Sequence, residues 1–140
     1  MEEKVSQQFA ATPQLRVRSV RGINEGSMKT ALYVRHFPAF HTDEPGEDGS
    51  DEGPTPLELT LAALCGCEAV TFARVARGMK FSYTGLELEA SGVIDIRGRS
   101  GVPGVRPHFQ SVTLHAKVRT EDSLEKLQRI VGHVERRCPV

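Results

Sequence analysis

The sequence predicts an α+β chain in which short antiparallel strands flank one long apolar helix and a second, amphipathic helix closes the chain. Three patterns carry that reading. Apolar residues recur at every second position over 14–20, 28–36, 86–90 and 112–118, which is the period of a half-buried strand. Thr55-Pro56-Leu57-Glu58 opens a run in which apolar or small residues appear on every helical face as far as Ala76. Asp122-Ser123-Leu124-Glu125 opens a second helical run with a single apolar stripe.

Taken in order, residues 1–13 are polar, carry Gln7-Gln8 and end at Thr12-Pro13, and read as a loose leader to a single domain over 14–140. Gln14 to Val20 alternates as a first strand, and the two glycines of Arg21-Gly22-Ile23-Asn24-Glu25-Gly26 supply a turn. Met28, Thr30, Leu32, Val34 and His36 alternate again, so a second strand is expected to return antiparallel to the first. From Asp43 to Glu52 six of ten residues are acidic and none is basic, with Pro45, Gly46 and Gly49 among them; a solvated loop is expected.

The long helix has an explicit start. Thr55 suits the N-cap, Pro56 the first helical position, and Glu58 completes a capping box. It is expected to run to Arg77, with Gly78 as a left-handed stop and Arg74 and Arg77 complementing the dipole. At 1.5 Å per residue it would span roughly 32 Å, more than the rest of a 140-residue monomer can enclose. Burial on all faces therefore predicts a homodimer wrapping two copies, with Ala62, Gly66, Ala69 and Ala73 forming a low ridge for close approach.

Beyond Gly78, Leu86, Leu88 and Ala90 alternate with Glu87 and Glu89, and Val93-Ile94-Asp95-Ile96 follows. Gly98 to Pro107 is a loop with three glycines, two prolines, Arg99 and Arg106; it lacks Gly-Lys-Ser/Thr and dinucleotide spacing, so no phosphate cradle is predicted. Val112, Leu114, Ala116 and Val118 form another strand. The final helix should begin at the Asp122 box and carry Leu124, Leu127, Val131 and Val134 on one stripe. Four residues further the stripe reaches Cys138, behind which Pro139 ends the helix.

Composition narrows the function. Lys and Arg (18) balance Asp and Glu (18), there is no Trp, and aromatics are 6% of the chain, which argues against a nucleic-acid binder. With 39% hydrophobic residues the chain is too apolar to be wholly disordered. No charge-free apolar run reaches the ~18–20 residues of a bilayer span, and Met1-Glu2-Glu3-Lys4 opens no secretory signal, so a cytoplasmic protein without a membrane partner is expected. Three cysteines in a reducing compartment read as thiols rather than staples. Cys65 and Cys67 lie about 200° apart around a helix and cannot grip one metal together, and the five histidines have no ligand spacing, so no metal is expected. Cys65 reads as a small core residue. Cys67 and Cys138, both facing inward from separate helices, make a redox pair geometrically possible.

Pro56-Leu57-Glu58-Leu59, Ala62-Ala63-Leu64, Gly66-Cys67-Glu68 and Thr71, followed by Cys138-Pro139-Val140, resemble the OsmC/Ohr superfamily of thiol-dependent hydroperoxide reductases. Gly53–Ala76 resembles its central helix, and Arg97–Phe109 a Gly/Arg loop of one branch. The resemblance implies an OsmC-like fold, an intertwined homodimer with sheets wrapping two long helices. It further implies that Cys67 is the peroxidatic cysteine and Cys138 the resolving one, that an organic hydroperoxide is the substrate, that a small dithiol or lipoylated protein is the reductant, and that no cofactor is needed.

The chemistry needs a thiolate, and a free cysteine of pKa ~8.5 is only about 3% ionised at pH 7. A shift of about two units takes ~2.7 kcal/mol of charge stabilisation, within reach of one partly buried Arg. The family draws this Arg from its N-terminal strands; Arg16, Arg18, Arg21 and Arg35 compete here, and Arg21 beside Gly22 is favoured, with Glu58 either the carboxylate that would hold it or only the cap of the helix. Well-studied members place Glu directly after the helix proline, where this chain has Leu57, and usually add a strand beyond the position of Val140. The alternative implied by the same likeness is a non-catalytic dimer that binds a small apolar ligand in its interface pocket.

Overall fold

Strand pairing at the start of the chain is set by one asparagine. In the computed structural model, which describes residues 12–140, Asn24 Nδ2 donates to the carbonyls of Ser27 (2.8 Å) and Lys29 (2.9 Å), while its Oδ1 accepts the Gly26 N–H at 2.8 Å. Gly26 takes φ +96°, open to it because it lacks Cβ. The turn therefore lies after Asn24, not over 21–26, and Arg21–Asn24 becomes the first strand (β1), paired antiparallel with Thr30–Tyr33 (β2), which pairs with Phe40–Thr42 (β3). The strand expected over 14–20 joins no sheet among the described residues. Leu15 and Val17 are 81% and 86% exposed, and β1 rather than 14–20 holds the edge of β2 that does not pair with β3. Most of the expected leader, residues 1–11, lies outside the described residues.

The acidic stretch is a loop, but its first residue is not solvated. Asp43 is 1% exposed and accepts the backbone N–H groups of Glu44, Ser50 and Glu52. Burial pushes its carboxyl up; the three N–H donors, with Lys29 nearby, outweigh that and hold it below the usual carboxylate range. These residues up to Gly53 make one compact unit, and Pro54–Val140 make a second.

In the second unit the long helix runs Pro56–Gly78 (α1) and starts at the expected capping box. Thr55 Oγ1 accepts the Glu58 N–H at 3.2 Å and the Glu58 carboxylate accepts the Thr55 N–H at 2.8 Å. Its end differs from expectation. Lys80, not Gly78, is left-handed (φ 54°), with Phe81 N–H bonded to Ala76 C=O and Lys80 N–H to Arg77 C=O. This Schellman arrangement is placed two residues late because Phe81 is pulled back onto Ala76 in the core.

Gly85–Val93 (β4) and Ser111–Arg119 (β5) form a two-stranded antiparallel ribbon, Leu88 opposite Ala116. The strand stops before Ile94 because Asp95 caps a single helical turn, Ile96–Arg99 (α2), its carboxylate accepting from the Arg97 backbone (3.1 Å) and Nε (2.9 Å). The last helix, Leu124–Arg137 (α3), is capped by Ser123 rather than Asp122. Asp122 is occupied elsewhere, accepting the Ser82 N–H at 3.2 Å and pairing with Lys126.

The core joins Phe72, Val75 and Ala76 of α1 to Phe81 and to Ile130 and Val134 of α3, with Tyr83 edge-on to Phe72 at 5.0 Å. The inward stripe of α3 is thus Ile130-Val134; Leu124 and Val131, expected on it, are 69% and 43% exposed. Along α1 only Thr71, Phe72, Val75 and Ala76 are buried, so one chain does not bury this helix on all sides. By length and composition it would suit a membrane span, a test that core helices also pass. Between α1, the ribbon and α3 lies an apolar cavity of about 450 Å³ with two carboxylates, Glu68 and Glu135, in its lining.

Candidate redox site

Two helices of the second unit present their sulfurs to each other. On α1, Cys67, Thr71 and Val75 recur every four residues, and so share one side of the helix. Ile130, Val134 and Cys138 repeat the spacing at the other end of the packing. Burial of Val75, Ile130 and Val134 in one cluster therefore fixes the approach of α1 and α3, and the cysteines extend the same two rows.

Cys138 itself is not helical. Its φ of −71° and ψ of 119° are extended, and it stands at the C-cap with its N–H still bonded to Val134 C=O at 3.0 Å. Pro139 disfavours the helical conformation in the residue before it, which ends α3 one residue earlier than the stripe alone suggests. The extended turn aims the side chain at α1. Cys138 Sγ lies 3.1 Å from Cys67 Sγ, with its S–H as donor; both thiols are free and half-buried. A bonded pair needs ~2.05 Å, so about 1 Å of side-chain movement joins them.

Burial pushes the Cys138 thiol up to about 11; its hydrogen bond to Cys67 and the carboxylate of Glu68 push the same way, and the Val140 N–H acts against them. At pH 7 a thiol with that value is ionised in roughly one molecule in ten thousand. Cys138 is thus the hydrogen-bond donor of the pair, and the Cys67 sulfur accepts that bond.

The remaining expected site residues are positioned as follows. Arg21 lies on β1 with its guanidinium 5.4 Å from the centre of the Tyr33 ring, and no carboxylate pairs with it among the described residues. Arg35 sits over Phe37 at 4.7 Å, and Arg16 and Arg18 donate to the carbonyls of Leu15 and Val17. Glu58 serves the α1 cap through Oε2, nine residues and so ~13 Å of helix before Cys67. Cys65, two residues before Cys67, is half-buried and outside the core cluster in which it was expected. Glu68 was named in the sequence only as part of the Gly66-Cys67-Glu68 motif and given no role, yet its carboxylate is among the groups that push the Cys138 thiol up. Its place directly after Cys67 was the available signal.

A family model described as OsmC-like protein matches residues 49–140. The fold is similar to that of an OsmC-like protein from Mycoplasma pneumoniae (TM-score 0.76, 19% identity, covering 89% of this chain and 84% of that one). It is also similar to an organic hydroperoxide resistance protein OsmC from Legionella pneumophila (0.68, 17%, covering 91% and 88%) and to an organic hydroperoxide resistance protein from Elizabethkingia anophelis (0.70, 17%, covering 91% and 87%). No curated protein matches the sequence.

Proposed function

The chain belongs to the OsmC-like family, and from that premise we propose that it is a thiol-dependent peroxidase acting on organic hydroperoxides. One observation carries the reading: two free thiols, one on α1 and one at the C-cap of α3, 3.1 Å apart, one of them held neutral. The Cys67 thiolate attacks the outer oxygen of the hydroperoxide, the O–O bond breaks, and the alkoxide takes a proton and leaves as the alcohol. Cys67 is then a sulfenic acid. Cys138 sulfur displaces water from it to form the disulfide, which a small dithiol or a lipoylated protein reduces.

Arg21 is proposed as the cation that favours the Cys67 thiolate, supported by its lack of a carboxylate partner among the described residues. Glu58 is proposed to hold that cation with the carboxylate oxygen that the helix cap leaves over. A homodimer in the cytoplasm is the proposed state, supported by the incomplete burial of α1, where Val70 is 51% exposed.

The test is thiol titration after a stoichiometric dose of cumene hydroperoxide. Two of three thiols should disappear; Cys67→Ser should prevent the loss, and Cys138→Ser should leave a trappable sulfenic acid. If all three thiols of the wild type remain titratable, the peroxidase reading is wrong. The cavity of about 450 Å³ favours the second reading, a dimer that binds a small apolar molecule and keeps its thiols as structural groups, and the same titration distinguishes it. Light scattering that shows a stable monomer at micromolar concentration would rule out the dimer.

A further inference from the structure

We propose that the cavity between α1, the ribbon and α3 binds an organic cation, an apolar body with an ammonium or guanidinium head, and that the head lies at the end nearest the thiol pair. The inference deepens the ligand-binding reading of that cavity and stands whether or not the thiols turn over.

The two helices run in opposite directions along the cavity, because Cys67 of α1 meets Cys138 at the end of α3 while Ala76 of α1 shares the core with Ile130. Glu68 follows Cys67 directly, and Glu135 stands three residues, ~4.5 Å of helix, before Cys138. Both carboxylates of the lining therefore belong to the same end. The other end is apolar. Leu86, Val118 and Leu127 line it and pack against the core cluster, and Leu127 is eight residues, ~12 Å of α3, from Glu135. At about 450 Å³ the space is of ordinary size for a small organic ligand.

The two carboxylates have no cation of their own. Neither forms an ion pair among the described residues, and no Lys or Arg lines the cavity. The positions three and four residues before and after each, from which a helical neighbour could reach it, hold no Lys or Arg either.

Charge decides which ligand fits. An uncharged apolar molecule would take water from Glu68, which is half-buried, and give it no partner in return. An anion would meet like charge at the polar end. A cationic head pairs with the carboxylates while its body covers the apolar end, so both parts of the lining favour it.

The experiment is isothermal titration calorimetry of the full chain with octylammonium, octanol and octanoate, each below the concentration at which it forms micelles. Octylammonium should bind about tenfold more tightly than octanol, as two partly exposed ion pairs allow, and octanoate more weakly than either. Added salt should narrow the gap. Glu68→Gln and Glu135→Gln should each cut the preference for the cation about threefold and together erase it, leaving octanol binding in place. Ala116→Phe, which puts a ring into the cavity from β5, should abolish the binding of octylammonium and octanol alike.

Equal affinities for octylammonium and octanol in wild type overturn the proposal and leave an apolar binding cavity standing. A preference that survives the double substitution, or binding that survives Ala116→Phe, overturns it by locating the cation elsewhere. If a glutamine variant does not fold, the wild-type order of the three probes and the Ala116→Phe result decide. Failure of all three probes to bind overturns the ligand-binding reading as well. None of these outcomes alters the thiol titration with cumene hydroperoxide, which judges the peroxidase reading separately.

Discussion

Replacing Ile130 by alanine tests whether the row that carries Cys138 is the one that holds the second unit together. Ile130 is 0% exposed, between α1 and α3. The substitution deletes three carbons, worth about 2.4 kcal/mol of transfer energy at ~0.8 kcal/mol each, and the cavity left behind adds to it. A loss of about 3–4 kcal/mol is expected, which for a chain of this size lowers Tm by roughly 10 °C. Ile130→Val, which removes one carbon, should cost about 1 kcal/mol. Leu124→Ala is the control, because Leu124 is on the stripe the sequence suggested yet is 69% exposed; it should cost less than ~0.5 kcal/mol. Urea and thermal unfolding followed by circular dichroism would measure all three. Ile130→Ala falling within 1 kcal/mol of Leu124→Ala would refute the assignment of the inward row, and with it the explanation of how Cys138 reaches Cys67.

Two further outcomes rest on single contacts. Asp43 has a folded-state carboxyl lower than its unfolded one, so the unfolded chain binds the extra proton on acidification; the contribution is complete above the ordinary carboxylate range and disappears as pH falls through the lowered value. Urea midpoints measured from pH 6 down to pH 3 should therefore fall more steeply in wild type than in Asp43→Asn, and equal slopes would contradict the buried carboxylate. Gly92→Ala should destabilise by about 1–3 kcal/mol, because a Cβ there runs into the ring of Phe109, and Phe109→Ala in the same chain should recover part of the loss; independent, additive effects would refute the contact.

What the sequence determined by itself was whatever is decided within a few residues. Thr55 and Glu58 close a capping box with their own backbone, so the start of α1 was legible to the residue. The alternation of 86–90 and 112–118 reports two faces in different surroundings, and it located β4 and β5. The matched cysteines at 67 and 138 and the residues around them pointed to the family later shown by the match over 49–140.

Contacts between distant segments decided the rest. The apolar alternation of 14–20 could not reveal that the Asn24 turn gives the edge of β2 to β1 instead. The α3 pattern put Val131 on the inward stripe, and packing on Val75 and Ala76 of α1 chose Ile130 instead. The same choice, together with the extended conformation that Pro139 imposes on Cys138, brought two sulfurs 71 residues apart to 3.1 Å. Glu68 stood in the motif without a role for the same reason: its carboxylate pushes the Cys138 thiol up only because the packing of one helix on another delivers that thiol to α1.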